Sequence, residues 1–311
     1  MSGQVVVITG GVGGAKLVLG LMQAMPPERI VAIVNTGDDF EHLGLWVSPD
    51  IDTLLYTLSG KANQAQGWGR EGETWSFMDA ARSLGSEDWF ALGDGDLALH
   101  VLRTARRARG VPLSAITAQF AQAWGLAPSI LPMSDDPVAT VLDTDEGELA
   151  FQTYFVARRC LPVVRNIAFR GAAVAKAGPG VCEAILADET EAILIAPSNP
   201  YLSVDPVLSI SAITAALAKA RAPIVAVSPI VGGAAVKGPT AKLMRELGIP
   251  VTPAAIAKHY QGVIDAMVVD ERDAPGELDL PHLTCDTLMT TLADRRRVAE
   301  AALELARRVA S

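Results

Sequence analysis

The sequence predicts an α/β protein: a Rossmann-like, mostly parallel sheet with a helical insertion and a small antiparallel hairpin. Three observations carry this prediction. Short β-branched runs alternate with longer helical stretches, the order expected of βα units feeding a parallel sheet. Half of the 311 residues are hydrophobic but only 5% are aromatic, so the core must be built from Val, Ile, Leu and Ala, as helices on a parallel sheet usually are. The opening run Val5-Val6-Val7-Ile8 passes directly into Thr9-Gly10-Gly11-Val12-Gly13-Gly14-Ala15-Lys16, a strand entering a helix through glycines.

Strands are expected at Val5–Thr9, Ile30–Asn35, Ile193–Ala196, Ile224–Ser228 and Val263–Val269, and helices at Gly14–Met25, Pro206–Lys219, Pro239–Leu247 and Asp294–Val309. The hairpin is expected from Ala139–Asp143 and Leu149–Phe155 across the turn residues Thr144-Asp145-Glu146-Gly147. Residues 50–124 read as the helical insertion, with Trp68, Trp75, Trp89 and Trp124 clustered there. The chain, 1–311, is read as one extended α/β domain.

The net charge of −9 and a single basic run, Arg103 to Arg109, argue against nucleic acid as a partner, because phosphate-backbone binding needs a basic footprint. Cys160, Cys182 and Cys285 share no metal-ligand spacing and fit a reducing compartment. No apolar run approaches the roughly 18 residues of a membrane helix, so no membrane partner is expected. The N-terminus lacks the cationic start of a signal peptide, and a cytoplasmic location is expected.

The chemistry-bearing segments sit where strands end. Glycines from Gly10 to Gly14 allow close backbone approach, and the helix N-terminus behind them offers N–H groups and a favourable dipole to a phosphate. Lys16 stands where the dinucleotide fingerprint requires glycine, and no Gly-Lys-Ser/Thr follows, so neither a dinucleotide nor a Walker loop is indicated. Asn35-Thr36-Gly37-Asp38-Asp39 ends the second strand; Ser48-Pro49-Asp50-Ile51-Asp52-Thr53 opens a helix. Either acidic pair alone reads as a turn or an N-cap. Four aspartates within this short stretch favour a hard cation such as magnesium, which takes few carboxylates and completes its shell with phosphate oxygens and water.

Further segments add to the set. Ser134-Asp135-Asp136 lies in a loop fixed by Pro132 and Pro137, and Asp96 and His100 share a helical face four residues apart. Pro197-Ser198-Asn199-Pro200 and the stretch from Ser228 through Gly232-Gly233 to Lys237-Gly238 end two later strands, and both offer backbone N–H groups at one sheet edge. No nucleophile elbow appears, and none of the histidines lies in a catalytic motif.

Taken in order, Gly10-Gly11-Val12-Gly13, Asn35-Thr36-Gly37-Asp38-Asp39, Pro49-Asp50-Ile51-Asp52-Thr53, Gly67-Trp68-Gly69, Glu73-Thr74-Trp75, Leu92-Gly93-Asp94, Leu131-Pro132-Met133-Ser134-Asp135-Asp136, Pro197-Ser198-Asn199-Pro200 and Ser228-Pro229-Ile230 resemble the 2-phospho-L-lactate transferase family of coenzyme F(420) biosynthesis. The resemblance continues to Asp286-Thr287-Leu288-Met289. It implies a homodimer using Mg2+, a donor made of guanosine diphosphate esterified to a small phospho-acid, the ribityl hydroxyl of 7,8-didemethyl-8-hydroxy-5-deazariboflavin as acceptor, and GMP as the leaving product.

Carried onto this chain, the resemblance implies catalytic roles for Asp50 and Asp52 and metal binding by Asp38 and Asp52. Asp50, His100, Ser134, Asp135 and Asp136 would face the acceptor. Gly10, Gly11, Val12, Gly13, Lys16, Ser198, Asn199, Pro200, Ser228, Lys237 and Gly238 would hold the donor. The resemblance implies a basic residue often at Gly95 and in some members at Ala91, and its absence here leaves lactate, enolpyruvate and glycerate open as the donor's acid. The competing expectation is a non-catalytic nucleotide-sugar-binding regulator, similar to the gluconeogenesis-factor family.

Overall fold

The computed structural model describes residues 3–63, 66–236, 238–273 and 278–310. Seven strands form one sheet in the spatial order His282–Cys285, Ala266–Asp270, Ile224–Val227, Thr190–Ile195, Gln4–Thr9, Ile30–Val34, Ser129–Pro132. All six pairings are parallel. Counted along the chain, the order is 7-6-5-4-1-2-3, so the direction of travel across the sheet reverses at Gln4–Thr9. Beside that strand, at the carboxyl ends, an open α/β sheet forms its ligand crevice.

Strand pleating explains the layers. Val5 and Val7 face the helices Gly11–Ala24, Pro49–Leu58 and Leu292–Ala310, meeting Leu17, Leu21, Leu54 and Ala302. Val6 and Ile8 face the opposite layer, where Ile185, Val207, Ile213 and Ile256 pack. Residues 5 to 8 are fully buried, each side chain contributing about 1.5–3 kcal/mol of hydrophobic stabilisation. A strand covered on both faces therefore reads as continuous rather than alternating apolar sequence.

The insertion consists of helices Pro49–Leu58, Ser76–Ser83, Leu97–Arg107 and Leu113–Ala123, preceded by a two-stranded hairpin, Phe40–His42 with Leu45–Val47. Among the described residues, no single helix is long and apolar enough to cross a membrane.

Several expected elements change form. The segment Leu149–Phe155 is not one strand: its paired part is Gly147–Ala150, opposite Ala139–Thr144, and helical turns then run through Thr153–Ala157. Phe151 stacks on Phe155 with ring centroids 5.4 Å apart, and Phe151 and Tyr154 are buried, a helical rather than a two-residue period. The helix expected at Pro206–Lys219 breaks into Asp205–Leu208 and Ser211–Leu217, because the Ser209 hydroxyl donates to the Pro206 carbonyl and Ile210 is extended. The strand expected from Val263 starts at Ala266, since Val263 and Ile264 donate back to the Tyr260 carbonyl. Ser129–Pro132, Val164–Arg170 and His282–Cys285 are strands that periodicity did not single out. Two of them are sheet edges, short and partly polar, and Pro132 is tolerated at such an edge.

Candidate active site

A cleft of about 470 Å³ opens at the carboxyl ends of the central strands. Its floor joins Gly10, Gly11, Val12, Gly13 and Lys16, after the first strand, to Pro197, Ser198 and Asn199, after the fourth. The two loops are locked together. Ser198 Oγ accepts from the Gly10 N–H (3.2 Å) and donates to the Gly10 carbonyl (2.7 Å). A Cβ on Gly13 would lie 2.6 Å from the Pro197 carbonyl oxygen, so only glycine allows this approach. The Gly11 N–H is itself taken by Asp50 Oδ1 at 2.8 Å. Val12 and Gly13, in the first turn of Gly11–Ala24, keep amides for which the helix supplies no carbonyl.

The other expected donor contacts divide. Asn199 Oδ1 caps the Tyr201 and Leu202 amides, while its buried Nδ2 has no partner and Asn199 lines the cleft. Pro200 begins the following helical turn and does not line the cleft. Ser228 and Gly238 line it from the fifth strand's loop, and Ser228 Oγ accepts from the Ile230 N–H. The Lys16 ammonium donates to the Met289 carbonyl at 2.7 Å, tying the first helix to the loop before the C-terminal helix. Lys237 lies outside the described residues.

Asp38 and Asp50 are buried and line one side of the cleft. Burial is the main cause raising the Asp38 pKa well above the usual carboxylate range, and the neighbouring charge of Asp50 adds to it. Burial also raises Asp50, to about 6, against the hydrogen bonds it accepts from Asn35 Nδ2 (2.9 Å) and Gly11. Asp38 Oδ1 is buried with no hydrogen-bond partner. An orphaned carboxylate oxygen beside a second carboxylate fits a cation. No group of three or more His, Cys, Asp or Glu in metal-binding geometry occurs among the described residues. A cation here would complete its shell with ligand oxygens and water, which suits magnesium.

Asp52, expected to share that metal, is instead committed to Arg103. Both of its oxygens are engaged by the Arg103 guanidinium, at 3.1 Å for Nη1 to Oδ2 and closer for Nη2 to Oδ1. His100 lies beside this pair, with Nε2 3.1 Å from Asp96 Oδ2, and the Tyr56 hydroxyl donates to the other Asp96 oxygen. His100, Asp96, Tyr56 and Asp52 all line the cleft.

Ser134, Asp135 and Asp136 are not brought to this site. They line a second cavity of about 310 Å³, and each is used structurally. Asp135 accepts from the Ser114 amide and hydroxyl at the start of Leu113–Ala123, Ser134 donates to the Lys176 carbonyl, and Asp136 accepts from the Lys176 N–H. The prolines do fix this loop, but they aim it at the neighbouring helix and the 171–178 turn.

Sequence reasoning gave no role to several lining residues. Trp68, Phe90, Phe151 and Phe155 supply an apolar aromatic wall to the cleft. Phe151 and Phe155 were hidden by the strand reading, although their four-residue spacing was the available signal. Asn35, whose amide fixes both Asp50 and the Gly37 N–H, was visible only as part of its motif. Arg103 was submerged in the basic run. The missing basic group at Gly95 has a neighbour in its place: Arg70 Nη1 lies 2.2 Å from where a Gly95 Cβ would be, and Arg70 pairs with Glu73 at 3.3 Å.

Comparison with known proteins agrees with this architecture. The family profile "2-phospho-L-lactate transferase CofD" matches residues 5–307. A 2-phospho-L-lactate transferase of Methanosarcina mazei is 38% identical over 95% of this chain and 98% of its own. A phosphoenolpyruvate transferase of Streptomyces griseus is 41% identical over 98% of this chain and 99% of its own. Among solved structures, a UPF0052 family member from Bacillus halodurans superposes with a TM-score of 0.63 at 17% identity, covering 97% of this chain and 100% of that one.

Proposed function

Because the chain belongs to the 2-phospho-L-lactate transferase family, we propose that its cleft transfers a three-carbon phospho-acid from a guanosine diphosphate-linked donor to the ribityl hydroxyl of 7,8-didemethyl-8-hydroxy-5-deazariboflavin, a step in coenzyme F(420) assembly. The acceptor oxygen forms a bond to the phosphorus bearing the acid, the bond from that phosphorus to GMP breaks, and the hydroxyl proton is lost. Lactate and enolpyruvate are the acids in the names of the relatives.

One observation carries the reading: the glycine loop at the sheet's reversal point and the buried Asp38–Asp50 pair open into the same cleft as the aromatic wall. The amides of Val12 and Gly13 and the start of Gly11–Ala24 would hold the diphosphate. Asn199 Nδ2, buried and unpaired, offers the donor a further N–H. Trp68, Phe90, Phe151 and Phe155 give the flat tricyclic acceptor an apolar surface to lie against. Asp38 would hold magnesium, and that ion would supply positive charge to offset the charge on the phosphate oxygens. Asp50, with its pKa near 6, takes the hydroxyl proton late in the reaction.

The test incubates the purified protein with the deazariboflavin, magnesium and guanosine diphosphate esters of lactate, enolpyruvate or glycerate, and follows GMP. Release that depends on both acceptor and donor supports the reading, and the fastest ester names the acid. No GMP from any ester, together with tight UDP-sugar binding, overturns it in favour of a regulator. A homodimer belongs to the same reading, and sedimentation of the purified protein tests it.

A further inference from the structure

Arg103 is fully buried, yet it does not line the cleft; it stands behind the wall that Asp52, His100 and Asp96 form. Burying a guanidinium is costly unless it is paired and hydrogen-bonded, and here every near partner belongs to that wall or its support. Its Nη1 reaches Asp52 Oδ2 at 3.1 Å, the Trp46 carbonyl at 3.3 Å and His100 Nδ1 at 3.4 Å. Its Nη2 holds the other Asp52 oxygen. The guanidinium also lies 5.8 Å from the Phe120 ring centre, which closes the side away from the cleft.

The chemistry of these contacts restricts His100. A guanidinium only donates, so a ring nitrogen facing it must present its lone pair. Nδ1 is that nitrogen. At 3.7 Å from Asp52 Oδ2 it is also too far to donate to that carboxylate. The imidazole proton then sits on Nε2, which lies 3.1 Å from Asp96 Oδ2 without making a hydrogen bond to it, and Asp96 accepts from the Tyr56 hydroxyl on its other side.

We propose that Arg103 is a positioning residue: from behind the wall it clamps Asp52 and holds His100 as the Nε2-protonated tautomer, so that Asp52, His100, Asp96 and Tyr56 meet a ligand in one fixed pattern of donors and acceptors. A polyhydroxylated chain is recognised by such a pattern, since each hydroxyl both donates and accepts. This use of the wall rests on the function proposed above, with the acceptor's ribityl chain as the ligand. The tautomer and the clamp do not.

The experiment therefore has two arms. In protein labelled with 15N-histidine, long-range proton–nitrogen correlation spectra distinguish protonated from bare ring nitrogens, and His100→Gln assigns the His100 signals among the four histidines. The expected wild-type result is a bare Nδ1 and a protonated Nε2. A protonated Nδ1 overturns the proposal, whatever the protein catalyses. Arg103→Met is expected to mix the tautomers and Arg103→Lys to restore the wild-type pattern in part; an unchanged pattern in Arg103→Met also overturns it. If Arg103→Met fails to fold because Asp52 is left unpaired, Arg103→Met with Asp52→Asn removes both charges and gives the same reading.

The kinetic arm uses Arg103→Met, with Arg103→Lys as its partial rescue. Loss of the fixed geometry is expected to raise the acceptor KM about tenfold, the scale of one hydrogen bond to a charged group, with the donor KM nearly unchanged. Equal loss on both substrates, or lower stability with unaltered KM values, assigns Arg103 a purely structural role. If no donor supports transfer at all, the function proposed above fails while the spectra still decide the tautomer.

Discussion

Asp50 lies close enough to Asp38 for its charge to raise the Asp38 pKa, and both carboxylates face a cleft in which one Asp38 oxygen has no partner. Such a pair is stabilised by a cation. Magnesium is expected to raise the melting temperature of the wild-type protein, and Asp38→Asn to remove most of that increase while raising stability in the absence of metal. A magnesium shift that is the same size in Asp38→Asn, measured by scanning calorimetry, contradicts metal binding there.

The same carboxylates set a pH dependence in the metal-free protein. Burial raises Asp50 to about 6. A carboxyl group whose folded pKa exceeds its unfolded value favours folding in its protonated form, so its contribution is fully present below about pH 4 and is lost as pH rises through about 6. Lowering the pH from about 7.5 to about 5.5 should therefore stabilise the wild-type protein relative to Asp50→Asn. A stability difference between the two proteins that does not change over this window would falsify the assignment.

Gly13→Ala places a methyl group 2.6 Å from the Pro197 carbonyl oxygen. Neither backbone can yield cheaply, and overpacking of this kind costs about 1–3 kcal/mol. Weaker GDP binding by calorimetry should accompany the lower melting temperature, because the two loops that part are both walls of the cleft. Unchanged GDP affinity in this variant would remove the glycine loop from the donor site.

Phe155 is exposed, and its ring stacks on Phe151. Phe155→Ala should raise the acceptor KM about fivefold, from a loss near 1 kcal/mol of ring contact, and leave the donor KM alone. An increase confined to the donor KM would place the acceptor elsewhere.

Asp135→Ala removes the carboxylate that holds the Ser114 amide and hydroxyl. The expected cost is about 1 kcal/mol of stability, as for loss of a helix cap, with kcat and both KM values unchanged. A raised acceptor KM would restore Asp135 to the substrate.

What could be read from the sequence follows from how locally each feature is encoded. The central strands were legible because burial on both faces leaves them uninterrupted Val and Ile, as at Val5-Val6-Val7-Ile8. The glycine loop and Pro197-Ser198-Asn199 were legible because close backbone approach restricts residue type. Edge strands such as His282–Cys285 were not, since an edge needs no long apolar run. The site was harder. Asp38, Asp50 and Asp52 look equivalent in sequence, and only the fold brings Arg103, 51 residues away, onto Asp52. Asp135 shows the reverse case: its motif was conspicuous, but its partner is a helix start.

The bond between Gly10 and Ser198 spans 188 positions of chain. The cleft is thus shared between early and late segments, and neither half of the protein contains it whole. A nascent chain released before the fourth strand, Thr190–Ile195, would carry both acidic segments but lack one wall of the site. Ligand binding accordingly reports completion of the fold, and a product truncated before that strand should be inert as well as incomplete.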